Sequence, residues 1–263
     1  ATGVYHEAAA VFLHEQGHVV SVVNPAQIAA YGQAHLERGK TDQMDAWLIA
    51  RFCERERPAP WTPLPPQERE LLALLRDLRD LMTMERAESN RLSTAHASVR
   101  ERIDRHLAFL ASEITQLRQK IEQLIDSNKD LKGRRDLLDS VPGLGAHTIP
   151  WLIAYLGDGQ RFDSAKCAAA FFGLSPKPHE SGSSVRGKAH IAKTGHADLR
   201  HVLYMPAVVA YSRCKAFAPF VQRLKAKGKP PKVIVIALMR KLLTIAQAIL
   251  KSRKMFDASI HFA

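Results

Sequence analysis

The spacing of apolar residues predicts a chain that is mostly helical. Apolar positions recur every three or four residues along most of the sequence, which is the period of a helix buried on one face. The pattern changes at residues 18–23, where a short valine-rich run ending before Asn24 and Pro25 is typical of a buried strand. We therefore expect a mostly α fold with a partial α/β domain at the N-terminus.

Residues 1–57 form the first region that the pattern separates. Helices are predicted over residues 4–16 and 25–36, and a third helix begins at Asp42 with Thr41 as its N-cap. The prolines between residues 58 and 66 then mark a stiff linker.

Residues 67–127 carry the seam of a coiled coil. Over residues 107–124, leucine and isoleucine recur at three- and four-residue steps among charged residues. The pattern loosens over residues 85–98, so it fits two helices or one interrupted helix. It fits an antiparallel pair within one chain as well as it fits a dimer interface.

Residues 128–263 are predicted to be helical around one polar loop. The loop, residues 174–194, is rich in glycine, serine, proline and basic residues. Asp163 or Ser164 is the predicted cap of the helix before it. The predicted helices cover residues 129–139, 147–156, 165–172, 196–212, 219–227 and 231–251.

Composition restricts the class of protein. Hydrophobic residues make up 46% of the 263 residues and charged residues 24%, which excludes disorder and collagen-like repeats. The longest aliphatic run, residues 233–239, is far too short for a membrane span, so we expect a cytoplasmic protein with no membrane partner. The three cysteines, Cys53, Cys167 and Cys214, lie far apart and predict reduced thiols.

Positive charge is concentrated in the second half of the chain. The formal net charge is +12, and residues 174–263 carry +14 while residues 1–173 carry −2. This asymmetry favours a nucleic-acid-binding half over an inert cationic surface. A role at a membrane surface is disfavoured because the basic residues are not confined to one amphipathic helix.

Asp42 and Asp45 are the first candidate chemical group. At positions i and i+3 of a helix, both carboxylates lie on one face. Such oxygens are the ligands that Mg²⁺ prefers in phosphoryl-transfer sites. The alternative is that the two acids only complement the dipole of the helix N-terminus.

A Pro-Gly-Leu-Gly turn at residues 142–145 is the second candidate. It joins two predicted helices in the pattern of a helix-hairpin-helix element, which would span residues 129–157. Gly143 and Gly145 would let backbone N–H groups approach a nucleic-acid phosphate. The alternative is a plain turn between two packed helices.

The polar loop is the third candidate. Ser181, Ser183 and Ser184 carry hydroxyls that can attack phosphorus, and composition does not choose among them. Gly182 permits close approach of a ligand. The alternative is a loop that clamps phosphates without reacting. The residues that would hold a phosphate are Arg186, Lys188, Lys193, His196 and Arg200.

Motifs along the whole chain, taken in order, resemble one protein family. They are ATGVY at residues 1–5, VSVVNP at 20–25, KTDQMDA at 40–46, PGLG at 142–145, ESGSSVRG at 180–187, KTGH at 193–196 and LYMPA at 203–207. Together they resemble the insertion-sequence transposases that join an RNase H-like (RuvC-like) DEDD domain to a serine-containing C-terminal domain. These are relatives of the Piv-type DNA invertases, and members include bridge-RNA-guided recombinases.

The resemblance implies a role for each matching residue. Asp42 and Asp45 match the last two acids of a DEDD site for Mg²⁺. Ser181 matches the nucleophilic serine that becomes covalently linked to DNA. The matching active-site motif around it comprises Gly182, Ser183, Ser184 and Arg186.

The resemblance also implies partners. Residues 67–127 match a coiled-coil region that mediates association into a homodimer or homotetramer. DNA is the substrate, and in guided members a structured non-coding RNA selects the DNA sites. We expect a bacterial protein associated with the nucleoid in the cytoplasm.

One departure from the family pattern concerns the first two acids. In the family the sequence Ala-Thr-Gly follows the second acid of the tetrad, whereas this chain begins with those residues at Ala1. We therefore expect that residues 1–57 are the C-terminal part of a RuvC-like domain that lacks its N-terminal strands, and that this chain has little activity alone.

The sequence thus predicts a DNA transposase or site-specific recombinase in which Ser181 attacks DNA with the assistance of Mg²⁺. Two alternatives stay open. One is a metal-dependent nuclease resembling junction resolvases, with water as the nucleophile. The other is a fragment that binds nucleic acid without cutting it.

Overall fold

A computed structural model describes residues 5–36, 39, 41–177, 180–181, 185–186, 190–192 and 195–262. The chain divides into two compact units, residues 1–65 and 66–263.

Three helices make up the described part of the first unit: α1 (Glu7–Glu15), α2 (Pro25–Ala34) and α3 (Asp42–Glu56). The N-cap Asn24 accepts a hydrogen bond from the Ala26 N–H, and Thr41 accepts one from the Met44 N–H, which confirms the predicted cap of α3. α2 and α3 pack together, with Tyr31 set edge-on to Phe52 at a centroid distance of 5.3 Å. α1 and α2 begin and end within three residues of their predicted bounds, and α3 begins at Asp42 as predicted.

The strand predicted at residues 18–23 is wrong. This segment has no regular secondary structure, and Val19 is exposed. Its neighbour is the proline-rich segment: the Trp61 N–H donates to the Val20 carbonyl, and the Ser21 hydroxyl donates to the Pro58 carbonyl. Because proline has no N–H to donate, these contacts do not extend into a ladder. The described part of this unit is therefore helical and not α/β.

A long helical hairpin opens the second unit. α4 (Pro66–Thr94) and α5 (Ala97–Ser127) are separated by two residues. Glu88 of α4 contacts His106 of α5 at 2.9 Å, and Met82 contacts Arg118, so the helices run antiparallel. The structure thus shows two helices that pair within one chain, and association with a second copy stays a prediction.

Seven further helices follow in the described part of the second unit. They are α6 (Lys129–Asp139), α7 (Ile149–Leu156), α8 (Ala165–Phe171), α9 (Ala197–Ser212), α10 (Ala218–Ala226), α11 (Pro231–Ser252) and α12 (Ala258–Phe262), with a 3₁₀ turn at Lys215–Phe217. α7 is buried along its whole length. α11 packs against α6, α7, α8, α9 and α10, and the prediction of Lys129–Asp139 as a helix is confirmed at both ends.

α11 is long and apolar enough to span a membrane by length and composition. Its most apolar 18-residue window has a mean hydropathy of 2.0, and 61% of that window is buried within the protein. Burial of this kind is what the core helix of a globular unit shows.

The polar loop folds back on itself. β1 (Pro176–Lys177) pairs antiparallel with β4 (His190–Ile191), and β2 (Glu180–Ser181) pairs antiparallel with β3 (Val185–Arg186). The segment predicted as a loop therefore has short paired strands. We call residues 173–195 the serine hairpin.

Candidate catalytic and nucleic-acid site

Ser181 occupies a defined backbone position in the serine hairpin. It lies in β2 opposite Val185, and Glu180 lies opposite Arg186. Ser181 thus lies in the paired backbone of the hairpin. Five other predicted site residues lie outside the described residues: Gly182, Ser183, Ser184, Lys188 and Lys193.

The two ends of the serine hairpin meet at the C-terminus of α8. On the outgoing side, the Leu174 N–H donates to the Ala169 carbonyl at 2.8 Å. On the returning side, the His196 N–H donates to the Phe171 carbonyl at 3.1 Å. Gly195 has φ +103°, and a Cβ on it would lie 2.1 Å from the Phe171 oxygen, so only glycine fits this crossing point.

His196 and Arg200 lie at this crossing point. The His196 ring stacks on Phe171 at a centroid distance of 4.6 Å. One guanidinium nitrogen of Arg200 donates to the Phe172 carbonyl at 2.9 Å and to the His196 carbonyl at 3.4 Å. The structure therefore brings both predicted phosphate-binding residues to the base of the hairpin and gives them contacts with protein groups.

A polar network that the sequence did not indicate surrounds this base. Asp198, in the first turn of α9, accepts hydrogen bonds from the Tyr155 hydroxyl at 2.6 Å and from Arg79 at 2.5 Å. Burial raises the pKa of Tyr155 above its ordinary value, and the hydrogen bond to Asp198 raises it further. The phenol therefore keeps its proton and remains a donor.

The turn between α6 and α7 exposes backbone near α9. Gly143 has φ +94°, and a Cβ on it would lie 3.6 Å from the Pro206 carbonyl oxygen. Gly145 has no neighbouring atom within 4 Å of such a Cβ, so a ligand can approach it closely. The Gly145 carbonyl accepts from the N–H groups of Thr148 and Ile149, which leaves the segment before α7 in a helical turn at the surface.

One arginine and two histidines from three elements lie beside this turn. They are Arg118 on α5, His147 in the turn and His201 on α9. Burial of part of the ring lowers the pKa of His147, and the positive charges of Arg118 and His201 lower it further, so the three groups lie close together. Sequence reasoning missed all three because only the fold brings α5 to this surface.

Apolar side chains continue the same face of α9. Tyr204 is 46% exposed and Met205 is 61% exposed, while their neighbours Leu203 and Pro206 are buried. An exposed aromatic ring next to cations is a surface on which a nucleic-acid base can stack.

Exposed basic residues extend over α10 and the start of α11. Lys225 lies 4.8 Å from the centroid of the Tyr211 ring, and Arg223 lies 5.3 Å from that of Phe220. Within the described part of the chain, the basic residues of this surface have no acidic partner: Arg223, Lys225, Lys227, Lys229 and Lys232.

Asp42 and Asp45 lie in the first turn of α3, in the first unit. Asp42 is exposed and Asp45 is half-buried. No cluster of three or more His, Cys, Asp or Glu side chains able to hold a metal occurs among the residues that the structure describes. Two carboxylates still fit Mg²⁺, which is commonly bound through one or two carboxylates together with water and phosphate oxygens.

Comparison with known families gives two matches. Residues 135–222, which include the serine hairpin, match the profile described as Transposase IS116/IS110/IS902 family. Residues 1–98 match the DEDD transposase profile of the IS110 type, and DEDD transposase domains generally use a divalent metal ion.

Comparison with individual proteins agrees with these matches. The pilin gene-inverting protein of Moraxella lacunata is 40% identical over 262 residues, which are 99% of this chain and 81% of that protein. The pilin gene-inverting protein of Moraxella bovis shows the same identity and coverage. The transposase for insertion sequence element IS1328 of Yersinia enterocolitica is 25% identical over 232 residues, which are 76% of this chain and 66% of that protein.

Proposed function

We propose a function for this protein from its family, because the chain belongs to the IS116/IS110/IS902 family of transposases and DNA invertases. Members of this family act in DNA recombination, and we infer that this protein recombines DNA by transposition or inversion. The observation that carries the proposal is the 40% identity to a pilin gene-inverting protein over 99% of the chain.

The proposed reaction is an attack by Ser181 on a DNA phosphodiester. The Ser181 hydroxyl oxygen forms a bond to phosphorus while the bond from phosphorus to one deoxyribose oxygen breaks. That oxygen leaves as a hydroxyl and takes up the proton that serine loses. The phosphoserine linkage conserves the bond energy, so strand exchange can later reverse the step.

Asp42 and Asp45 are the proposed metal ligands of this chain. A bound Mg²⁺ would supply positive charge that favours charge development on phosphate oxygens. The two aspartates would hold it at the start of α3, where their i, i+3 spacing in the first turn after the Thr41 cap places both side chains on one face. We assign residues 1–57 to a RuvC-like DEDD domain on the strength of the family match.

The proposed nucleic-acid interface lies on the basic second unit. Its parts are the Gly143–Gly145 turn as a helix-hairpin-helix, the cations beside it, and the basic residues of the serine hairpin (Arg186, Lys188 and Lys193). Backbone N–H groups and cations bind phosphate without regard to sequence. Sequence choice would then come from a structured guide RNA, which we propose as a second partner.

The α4–α5 hairpin exposes Met84 and Phe109 on its outer surface, and we propose that it mediates association into a dimer or tetramer. Recombination takes place on DNA, so we propose that the protein acts in the bacterial cytoplasm, with the nucleoid.

The chemistry of the product ends tests the proposed reaction against a metal-dependent nuclease. Full-length protein is incubated with cognate RNA and end-labelled DNA, and the products are separated on a denaturing gel before and after protease treatment. Serine attack predicts protein-blocked ends that disappear with Ser181→Ala. Free ends that persist with Ser181→Ala would overturn serine attack in favour of hydrolysis by water.

A further inference from the structure

The base of the serine hairpin is held by side chains of α9 in addition to its backbone hydrogen bonds. Arg200 reaches both ends at once: Phe172 precedes the outgoing end at Gly173, and His196 follows the returning end at Gly195. A single guanidinium nitrogen donates to both carbonyls, at 2.9 Å and 3.4 Å. A charged donor makes a stronger hydrogen bond than a neutral one, so this bridge resists separation of the two ends.

Asp198 fixes the first turn of α9 from the other side. It holds Tyr155 of α7 and Arg79 of α4 by one carboxylate oxygen each. The Tyr155 ring in turn packs edge-on to Phe172 at 5.5 Å and lies 5.7 Å from the His196 ring. Three helices are thereby tied to the residues from which the hairpin emerges.

We propose that Arg200 and Asp198 are positioning residues that aim the serine hairpin, and with it Ser181, at the DNA phosphate. This inference rests on the proposed function, in which Ser181 is the nucleophile. It gives Arg200 a role different from the phosphate contact expected from its place after the basic loop. Both of its described hydrogen bonds end on carbonyl oxygens of the protein, and both lie at the hairpin base.

The contacts at the base of the serine hairpin set the direction in which the hairpin extends. Among the described residues of the hairpin, the ladders β1–β4 and β2–β3 each pair two residues of one strand with two of the other, so we infer that its direction depends on how its ends are held. A displacement of about 1 Å in a reacting group can reduce a rate about a hundredfold while leaving binding intact. Loss of the Arg200 bridge should therefore slow the chemical step and spare DNA affinity.

The test compares three quantities in Arg200→Ala and wild-type full-length protein with cognate DNA and RNA. These are the rate of covalent adduct formation at saturating DNA, the DNA dissociation constant over a range of salt concentrations, and the thermal midpoint. We expect the adduct rate to fall about a hundredfold, with an unchanged salt dependence of binding. A phosphate contact would instead lower the slope of log K against log salt by about 0.9, and that result would overturn the inference.

Three further variants and one control variant extend the test to the whole network at the hairpin base. Arg200→Lys retains one charged donor nitrogen and should give an adduct rate between those of wild type and Arg200→Ala. If Arg200→Ala does not fold, a wild-type rate in Arg200→Lys overturns the inference. Asp198→Asn and Tyr155→Phe should slow the adduct in a non-additive way, because both act through one network. Lys166→Ala, which removes an exposed cation from α8, is the matched control and should leave the adduct rate unchanged.

Failure of the proposed function is distinguishable from failure of this inference. An adduct that survives Ser181→Ala shows that Ser181 is not the nucleophile. An adduct that is lost with Ser181→Ala but forms at the wild-type rate with Arg200→Ala leaves the nucleophile in place and removes the positioning role.

Discussion

At the scale of single residues, two glycines can separate an effect on folding from an effect on DNA binding. Gly145 has open space where a Cβ would stand, and so has Gly133 within α6. The two glycines therefore offer a matched pair, one in the proposed DNA interface and one on a helix away from the turn.

Gly145→Ala should weaken DNA binding without unfolding the protein. The added methyl group meets no protein atom, but it stands where a phosphate would approach the turn. Gly133→Ala, the control, should raise stability by about 0.5–1 kcal/mol through helix propensity and leave DNA affinity unchanged. Thermal unfolding and a DNA titration measure both effects, and equal DNA affinity in the two variants would contradict the proposed interface.

His147 should make the stability of the protein depend on pH. Its pKa is lower in the folded state than in the unfolded state, because partial burial and two nearby cations disfavour the charged ring. Unfolding therefore takes up a proton, and stability falls as the pH drops through the ordinary histidine value. His147→Gln should reduce the loss in thermal midpoint between about pH 7.5 and about pH 5.5; an unchanged loss would show that the ring does not contribute.

At the scale of elements, a buried ion pair joins the helical hairpin to the rest of the second unit. Glu68 of α4 is 4% exposed and accepts a hydrogen bond at 2.5 Å from Arg134 of α6, which is 7% exposed. Arg134 also pairs with Asp130. Arg161 lies near the same carboxylate, and burial lowers its pKa while Glu68 opposes that change.

Glu68→Ala should destabilise the protein by about 3 kcal/mol, because it leaves Arg134 buried with less compensation. Arg91→Ala is the control, since it breaks an exposed pair with Glu88 and should cost less than about 1 kcal/mol. Urea denaturation of the two variants measures the difference. Equal costs would mean that the Glu68 pair is solvated in solution.

How far each element was predictable depends on the range of the interactions that form it. Helices are set by local spacing and caps, so Thr41 and the bounds of α6 were predicted from sequence. The strand at residues 18–23 was not, because a strand depends on a partner, and its neighbour here is proline-rich. The pairing of α4 with α5 stayed open, since one heptad pattern serves both a hairpin and a dimer.

The residues of the candidate site also differ in how far the sequence predicts them. The glycines of the turn stand in a local pattern that the sequence shows directly, whereas Ser181 was chosen among three serines only through the family resemblance. Arg118 and Asp198 acquire their surroundings from helices far away in the chain, and no local pattern marks them.

At the scale of the whole molecule, the uneven charge predicts how the protein meets DNA. The net charge of +14 over residues 174–263 should make binding depend strongly on salt, through release of counterions from DNA. A DNA titration at several salt concentrations measures this slope. Affinity that does not change with salt would mean that the basic half does not contact phosphate.

The central claim is that Ser181 becomes covalently bonded to DNA, and mapping the attached nucleotide tests it most directly. Full-length protein that has reacted with cognate DNA and RNA is digested with nuclease and protease, and the peptides are sequenced by mass spectrometry. We predict a residual nucleotide on Ser181, with none on Ser183 or Ser184. A nucleotide on another residue would contradict the claim. Cleavage of the DNA with no nucleotide left on any peptide of the protein would contradict it as well.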